Sequence, residues 1–300
     1  MRPLTDESRT YGPLSSSFLR TSKRLLVYPR FWYQTHRCRE GYRQFRSVCS
    51  PRIVFVAGLP KSGTTWLEKM VSSFPGFSHA LIPQVARYEL AMGGSHDYEL
   101  PDDVFSRFRN MLVVTKMHVH GSEHNVDLLR RAGIRYAIVY RDLRDVAVSH
   151  YHYVRRTPWH PEYPFYRVLN VEEGLRAFAD RTLPAFAEWV RSWHARRDPQ
   201  MSLVIRYEEM LADTRAVLNQ VNTHFDLHAE DELLDRIVAD HSFARLSGGR
   251  KPGEANNKSF FRSGTSGGWR KHFSQGLRDL YKEIIGDFLI EYGYERDRSW

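Results

Sequence analysis

Four short apolar runs, at 53–57, 111–115, 135–140 and 202–206, alternate with longer stretches in which apolar residues recur every three or four positions. The runs predict strands, and the stretches predict helices over 64–74, 123–132, 142–154, 172–197, 213–225 and 230–240. Strands separated by helices predict one α/β domain over 51–300, a parallel sheet with helices on both faces. In such a sheet ligands lie outside the carboxyl ends of the strands. Lys61, Lys116, His118, Arg141 and Tyr207 all fall at or just past such an end.

Two segments interrupt the alternation. Residues 155 to 170 carry Pro158, Pro161 and Pro164 among Trp159, Tyr163, Phe165 and Tyr166, a composition that predicts neither helix nor inner strand and reads as the wall of a binding site. Residues 246 to 268 are rich in glycine and serine and read as a flap closing over a ligand.

Ahead of the first strand, Tyr28, Phe31, Thr35, Cys38, Tyr42 and Phe45 recur at helical spacing, with Arg30, Arg37, Arg39, Arg43 and Arg46 off that stripe. Gly41 weakens this helix by about 1 kcal/mol. Residues 1–50 form a basic leader of ten Lys/Arg against three Asp/Glu, a net of +7, which leaves only +2 of the chain's +9 for the rest. The simpler reading is a helix packed on the domain with an arginine-rich solvent face. The other is peripheral contact with an anionic lipid surface or an acidic polymer.

Composition narrows the class. Three hundred residues, 42% apolar and 26% charged, suffice for one large domain. The apolar run Ile53 to Leu59 is far short of the roughly 20 residues of a membrane span, and Met1 to Glu7 contain no signal-peptide core, so a soluble cytoplasmic protein is expected. Cys38 and Cys49 are too few for a disulfide framework or a four-ligand zinc site. His118 and His120, or His150 and His152, lack the neighbouring acids that would complete a metal site, so no metal is expected.

The most specific chemistry lies between Val54 and Leu67, where an apolar strand breaks into Gly58-Leu59-Pro60-Lys61-Ser62-Gly63-Thr64-Thr65-Trp66 and opens a helix. Backbone N–H groups and a helix N-terminus at such a turn can wrap a phosphate. Against the nucleotide-loop pattern G-x-x-x-x-G-K-[ST], Thr64 stands where the lysine belongs and Lys61 lies three residues earlier. That loop suits a 5′-phosphate carrying something other than a polyphosphate tail.

The run from Pro60 to Trp66 resembles the phosphosulfate loop of the cytosolic-type sulfotransferases, whose donor is 3′-phosphoadenosine 5′-phosphosulfate (PAPS). Three further blocks agree in order: Thr115-Lys116-Met117-His118, Tyr140 to Ser149, and Phe260 to Arg270. The resemblance implies a P-loop-like fold and sulfuryl transfer to a hydroxyl or amine of a small-molecule, lipid or saccharide acceptor. It implies His118 as base, Lys61 and Lys116 on the leaving phosphate and the transferring group, and Ser149 linked to Lys61. Ser62, Gly63, Thr64 and Thr65 would cradle the 5′ side. Arg141, Ser149, Arg262, Ser263 and Gly264 would hold the 3′-phosphate, with Trp66, Tyr207 and Phe243 on the adenine. Ser263 replaces a family lysine, and Arg155 with Arg156 reads as a solvated charge pair. After the Trp269-Arg270 pair, Ser274-Gln275 stands where the family's dimer motif has Thr-Val, which leaves the oligomeric state open.

A nucleotide kinase would share the cradle but needs a phosphate-reaching lysine after Gly63 and an acid for Mg²⁺. A non-catalytic polyanion-binding protein would explain the leader but not the ordered Lys61, His118, Arg141, Ser149 and Arg262. No nucleic-acid partner is expected.

Overall fold

The computed structural model describes residues 13–47 and 52–300, so Cys49 lies outside the described residues. Helices α1 (Pro13–Leu25) and α2 (Val27–Phe45) precede β1 (Ile53–Gly58), α3 (Thr64–Val71), β2 (Ser78–His79), α4 (Pro83–Met92), β3 (Val113–Met117) and α5 (Glu123–Arg131). Next come β4 (Tyr136–Tyr140), α6 (Leu143–Arg155), α7 (Tyr163–Tyr166), α8 (Val171–Arg181), α9 (Leu183–Arg196), β5 (Ser202–Arg206) and α10 (Tyr207–Ala212). The chain ends in α11 (Thr214–His224), α12 (Asp231–Asp240), α13 (Phe243–Ser247) and α14 (Gln275–Glu291).

The five strands are all parallel, in the order β2-β3-β1-β4-β5. Successive side chains on a strand point to opposite faces, and β1 divides accordingly. Phe55 and Ala57 pack with Tyr136, Ile138 and the Trp189/Trp193 layer on one side. Val54 and Val56 pack with Leu67, Met70, Val114 and Val139 on the other. An interior strand buried on both faces needs an unbroken apolar run, which explains its sequence.

Three expectations are corrected. The second strand runs 113–117 rather than 111–115, because β1 pairs with it from Ile53↔Val113 to Ala57↔Met117 and carries the ladder past the end of the apolar run. The helix expected over 172–197 is two, broken at Thr182 with Pro184 in the first turn of α9, where the missing N–H costs nothing. The proline-rich segment contains one helical turn, α7, which Pro164 opens for the same reason.

α2 is packed on the domain. Its Gln34 Oε1 accepts from Leu81 N (3.0 Å), and its Cys38 carbonyl accepts from Leu112 N (3.1 Å). Gly41 has a structural reason that offsets its poor helix propensity, since a Cβ there would lie 1.9 Å from the Gly76 carbonyl oxygen. Cys38 is fully buried, and burial raises its thiol pKa to about 12, so it is an inert core group.

Candidate active site

Every strand that flanks the site ends in a functional side chain. Lys61 follows β1, Lys116 is the penultimate residue of β3 with His118 just past it, Arg141 follows β4 and Tyr207 follows β5. These residues share one cavity of about 880 Å³, also lined by Gly63, Thr64, Thr65, Trp66, Ser149, Phe243, Arg262, Ser263 and Gly264. Ser62 does not line it, being fully buried with its hydroxyl unpartnered.

The loop is built to receive an anion. Lys61 and Gly63 take left-handed backbone, with φ of 68° and 82°. For a lysine that conformation is strained. No side chain caps the start of α3, so its first N–H groups stay available. A Cβ on Gly63 would meet Tyr207 Cδ2 at 2.7 Å, so only glycine lets this ring close on the loop. Trp66 stands edge-on to Tyr207 at 6.4 Å between centroids, its indole N–H donating to the His241 carbonyl (2.8 Å).

Cations outnumber their partners here. Lys116 donates to Thr65 Oγ1 (2.9 Å) and lies 3.7 Å from Glu68. Arg141 is buried between Asp145 (3.2 Å) and the Thr265 carbonyl (2.8 Å), stacks on Tyr207 at 4.2 Å, and keeps its Nε–H without a partner. Burial, followed by the charge of Arg141, lowers the pKa of Arg262. Burial, followed by Arg156, Lys116 and Arg141, lowers that of Lys61 to about 7. An anion among them would relieve this repulsion, and a guanidinium with a free buried N–H suits a phosphate oxygen.

Lys61 is not joined to Ser149, contrary to the family-based expectation. Its ammonium lies over the Tyr153 ring at 3.9 Å and near Phe260 at 5.0 Å, a cation–π seat for the charge. His118 places Nδ1 2.5 Å from the Gly58 carbonyl oxygen, which can only accept, so Nδ1 carries the proton and Nε2 keeps the lone pair. Burial lowers the imidazole pKa, with the carboxylate of Glu89 opposing. The ring is therefore neutral at pH 7, as a base must be.

Several residues at the site escaped the sequence reading. Arg156 is not a solvated charge: it donates to the carbonyls of Ser259 and Asn257 and ties the flap to the end of α6. Asp145 accepts from Gly267 N (2.7 Å) and Trp269 N (2.9 Å) as well as from Arg141, anchoring the other end of the flap. Arg250 ties the flap to itself through the carbonyls of Glu254 and Arg262, both at 2.7 Å. Glu89, from the unforeseen helix α4, lines the cavity near His118 and accepts from Ser95 Oγ at 2.6 Å. Tyr153 alone carried a local signal, lying one helical turn after Ser149.

His120 is engaged by the His96 carbonyl (2.8 Å) and Glu99 (3.2 Å), and His150 lies 3.2 Å from Glu162. Among the described residues no group of three or more His, Cys, Asp or Glu is placed to hold a metal ion. No helix among them is long and apolar enough to cross a membrane.

Comparison with known proteins agrees with this geometry. Cytosolic sulfotransferase 12 of Arabidopsis thaliana is 26% identical over 251 residues, covering 75% of this chain and 74% of its own. Flavonol 3-sulfotransferase of Flaveria bidentis is 24% identical, covering 80% of this chain and 82% of its own. Among solved structures, a mouse sulfotransferase complexed with PAP superposes with a TM-score of 0.59 at 20% identity, over 84% of this chain and 93% of that one. A retinol dehydratase in complex with retinol and PAP gives 0.59 at 18%, over 83% and 85%. The family model of the sulfotransferase domain matches residues 51–293, and the chain belongs to that family.

Proposed function

We propose that this protein moves the sulfuryl group of PAPS onto a hydroxyl of a small, largely apolar acceptor in the cytosol. The observation that carries the reading is the contact of His118 Nδ1 with the Gly58 carbonyl, which leaves Nε2 as the basic nitrogen of a residue lining the same cavity as Lys61, Lys116, Arg141 and Arg262. PAPS supplies an activated S–O bond to a phosphate.

His118 Nε2 takes the acceptor's hydroxyl proton as its oxygen bonds to sulfur, which makes a poor nucleophile competent at neutral pH. The electron pair of the breaking S–O bond stays on the 5′-phosphate, and Lys61, leaving the face of Tyr153, places positive charge there as it develops. Lys116, steadied by Thr65 and Glu68, stands beside the transferring group. Arg141, Arg262 and Ser149, with the backbone at Ser263 and Gly264, hold the 3′-phosphate, and Trp66, Tyr207 and Phe243 the adenine. Leu81, Ala86, Leu90, Trp159 and the ring of Tyr153 add apolar surface to the cavity lining, while Glu89 offers one acceptor of hydrogen bonds.

The test is transfer of labelled sulfate from PAPS, without Mg²⁺, into a panel of phenols, flavonols, steroids and long-chain alcohols. Labelled products lost in His118→Ala support the reading. Transfer that requires Mg²⁺ and takes ATP as donor would return the kinase alternative.

A further inference from the structure

The first two helices form a nearly continuous rod. Leu26 between them keeps helical backbone, its N–H bonded to the Ser22 carbonyl (3.3 Å) and its carbonyl accepting from Arg30 N (3.0 Å). One side of the rod, with Val27, Gln34, Thr35 and Cys38, is buried on the domain. On the opposite side Phe18, Leu25 and Trp32 recur every seven residues, which stacks them along one ridge, and Leu26 and Tyr33 form a second row beside them. All five are between 61% and 74% exposed. A solvent-facing ridge of this kind is what a monomeric soluble protein avoids unless the surface binds something.

The flanks identify the partner. Residues 13–47 contain eight Lys/Arg and one acid, Glu40, which is paired with His36 at 3.1 Å. Arg24, Arg37 and Arg39 are exposed beside the ridge. We propose that this ridge docks on an anionic lipid bilayer, with Phe18, Leu25 and Trp32 entering the headgroup boundary and the arginines meeting lipid phosphates and carboxylates. Tryptophan and tyrosine favour that boundary, and each nearby Lys or Arg adds attraction to an anionic leaflet. A second copy of the chain fits poorly, because facing ridges would set two rows of arginine side by side. An acidic polymer would satisfy the arginines but leave the apolar ridge in water.

The position of the rod gives docking a consequence. Lys23, Leu26, Val27 and Arg30 line the cavity that holds His118, Lys23 lies 4.8 Å over the Trp159 ring, and α1 packs on both α4 and α7. Docking therefore sets the bilayer against the outer side of the rod whose inner side lines the cavity, one helix diameter (roughly 10–12 Å) away, so an amphiphilic acceptor is concentrated beside the site. That consequence rests on the sulfuryl-transfer reading, whereas the docking does not.

Co-sedimentation of the full chain with vesicles of phosphatidylcholine, with and without phosphatidylserine, tests it. Binding is expected only with phosphatidylserine and to weaken with salt. The triple variant Phe18→Ser, Leu25→Ser, Trp32→Ser, altered only at exposed positions and checked by its thermal melt, should lose at least about tenfold in affinity. Arg24→Gln, Arg37→Gln and Arg39→Gln should each lose about fivefold. Equal binding by wild type and the serine variant overturns the proposal. So does a light-scattering dimer that the serine variant abolishes without any vesicle binding, or retention on heparin without vesicle binding. Sedimentation needs no turnover, so a chain that binds vesicles but fails to transfer sulfate would count against the catalytic reading alone.

Discussion

His118 donates a hydrogen bond through Nδ1–H to the carbonyl of Gly58, so the last residue of β1 sets the tautomer of the side chain that follows β3. The two strands are neighbours in the sheet, and register alone brings the groups together. A base oriented in this way has its lone pair on Nε2, whatever the acceptor.

His118→Ala should lower kcat by about 10²–10⁴-fold while leaving binding of the desulfonated nucleotide intact, as titration calorimetry would report. Burial holds the imidazole below its ordinary 6.5, so the acid limb of the kcat profile should fall below that value. A variant keeping more than about a tenth of the wild-type rate would remove His118 from the role of base.

Lys61 links nucleotide binding to protons. Its pKa in the free protein is about 7, lowered first by burial and then by Arg156, Lys116 and Arg141. A bound polyanion offsets that repulsion and raises the value, so between the two pKa values binding takes up a proton and affinity falls as pH rises. Calorimetry in buffers of different ionisation enthalpy, about one pH unit above the free value, should show proton uptake in wild type and none in Lys61→Met. Uptake that persists in the variant would place the titration elsewhere.

Arg141→Ala and Arg262→Ala should weaken a 3′-phosphorylated nucleotide by roughly ten- to a hundredfold and adenosine 5′-phosphosulfate far less, since each removes a charge-assisted donor. Equal losses for both ligands would contradict their assignment. Asp145→Ala should cost about 3–5 kcal/mol of stability in a denaturant melt, because it strands buried Arg141. It also removes the acceptor for Gly267 and Trp269 N–H, so the flap should loosen.

The segment after Trp269 is spent on the chain's own fold. Ser274 accepts from Leu277 N (3.3 Å) to start α14 and donates to Glu172 (2.8 Å), while Gln275 reaches Asp279 (2.8 Å). This segment should not by itself sustain a dimer, and Ser274→Ala should cost about 1 kcal/mol through the lost cap. A light-scattering dimer abolished by Ser274 and Gln275 substitutions would contradict this.

Groups whose chemistry depends on neighbours along the chain were legible. The cradle needs only β1, a turn and the start of α3, and Lys116 with His118 needs only a strand end. Even so, the strand carrying them ends two residues beyond the point its apolar run predicts, because its end is decided by pairing with β1.

The sequence by itself determined the alternation of elements, the parallel sheet and the edge at which Lys61, His118, Arg141 and Tyr207 meet, because periodicity and turn chemistry are local. Tertiary structure alone decided which charges are satisfied. Asp145 serves amides more than 120 residues away, Arg156 holds a flap carbonyl more than 100 residues on, Glu89 comes to His118 from a helix the periodicity did not announce, and Lys61 rests on Tyr153 instead of Ser149. The leader shows the same division, its helix readable from spacing. Burial of one side on the domain left Phe18, Leu25 and Trp32 outward, and a spacing pattern cannot say which of two apolar faces the rest of the molecule will cover.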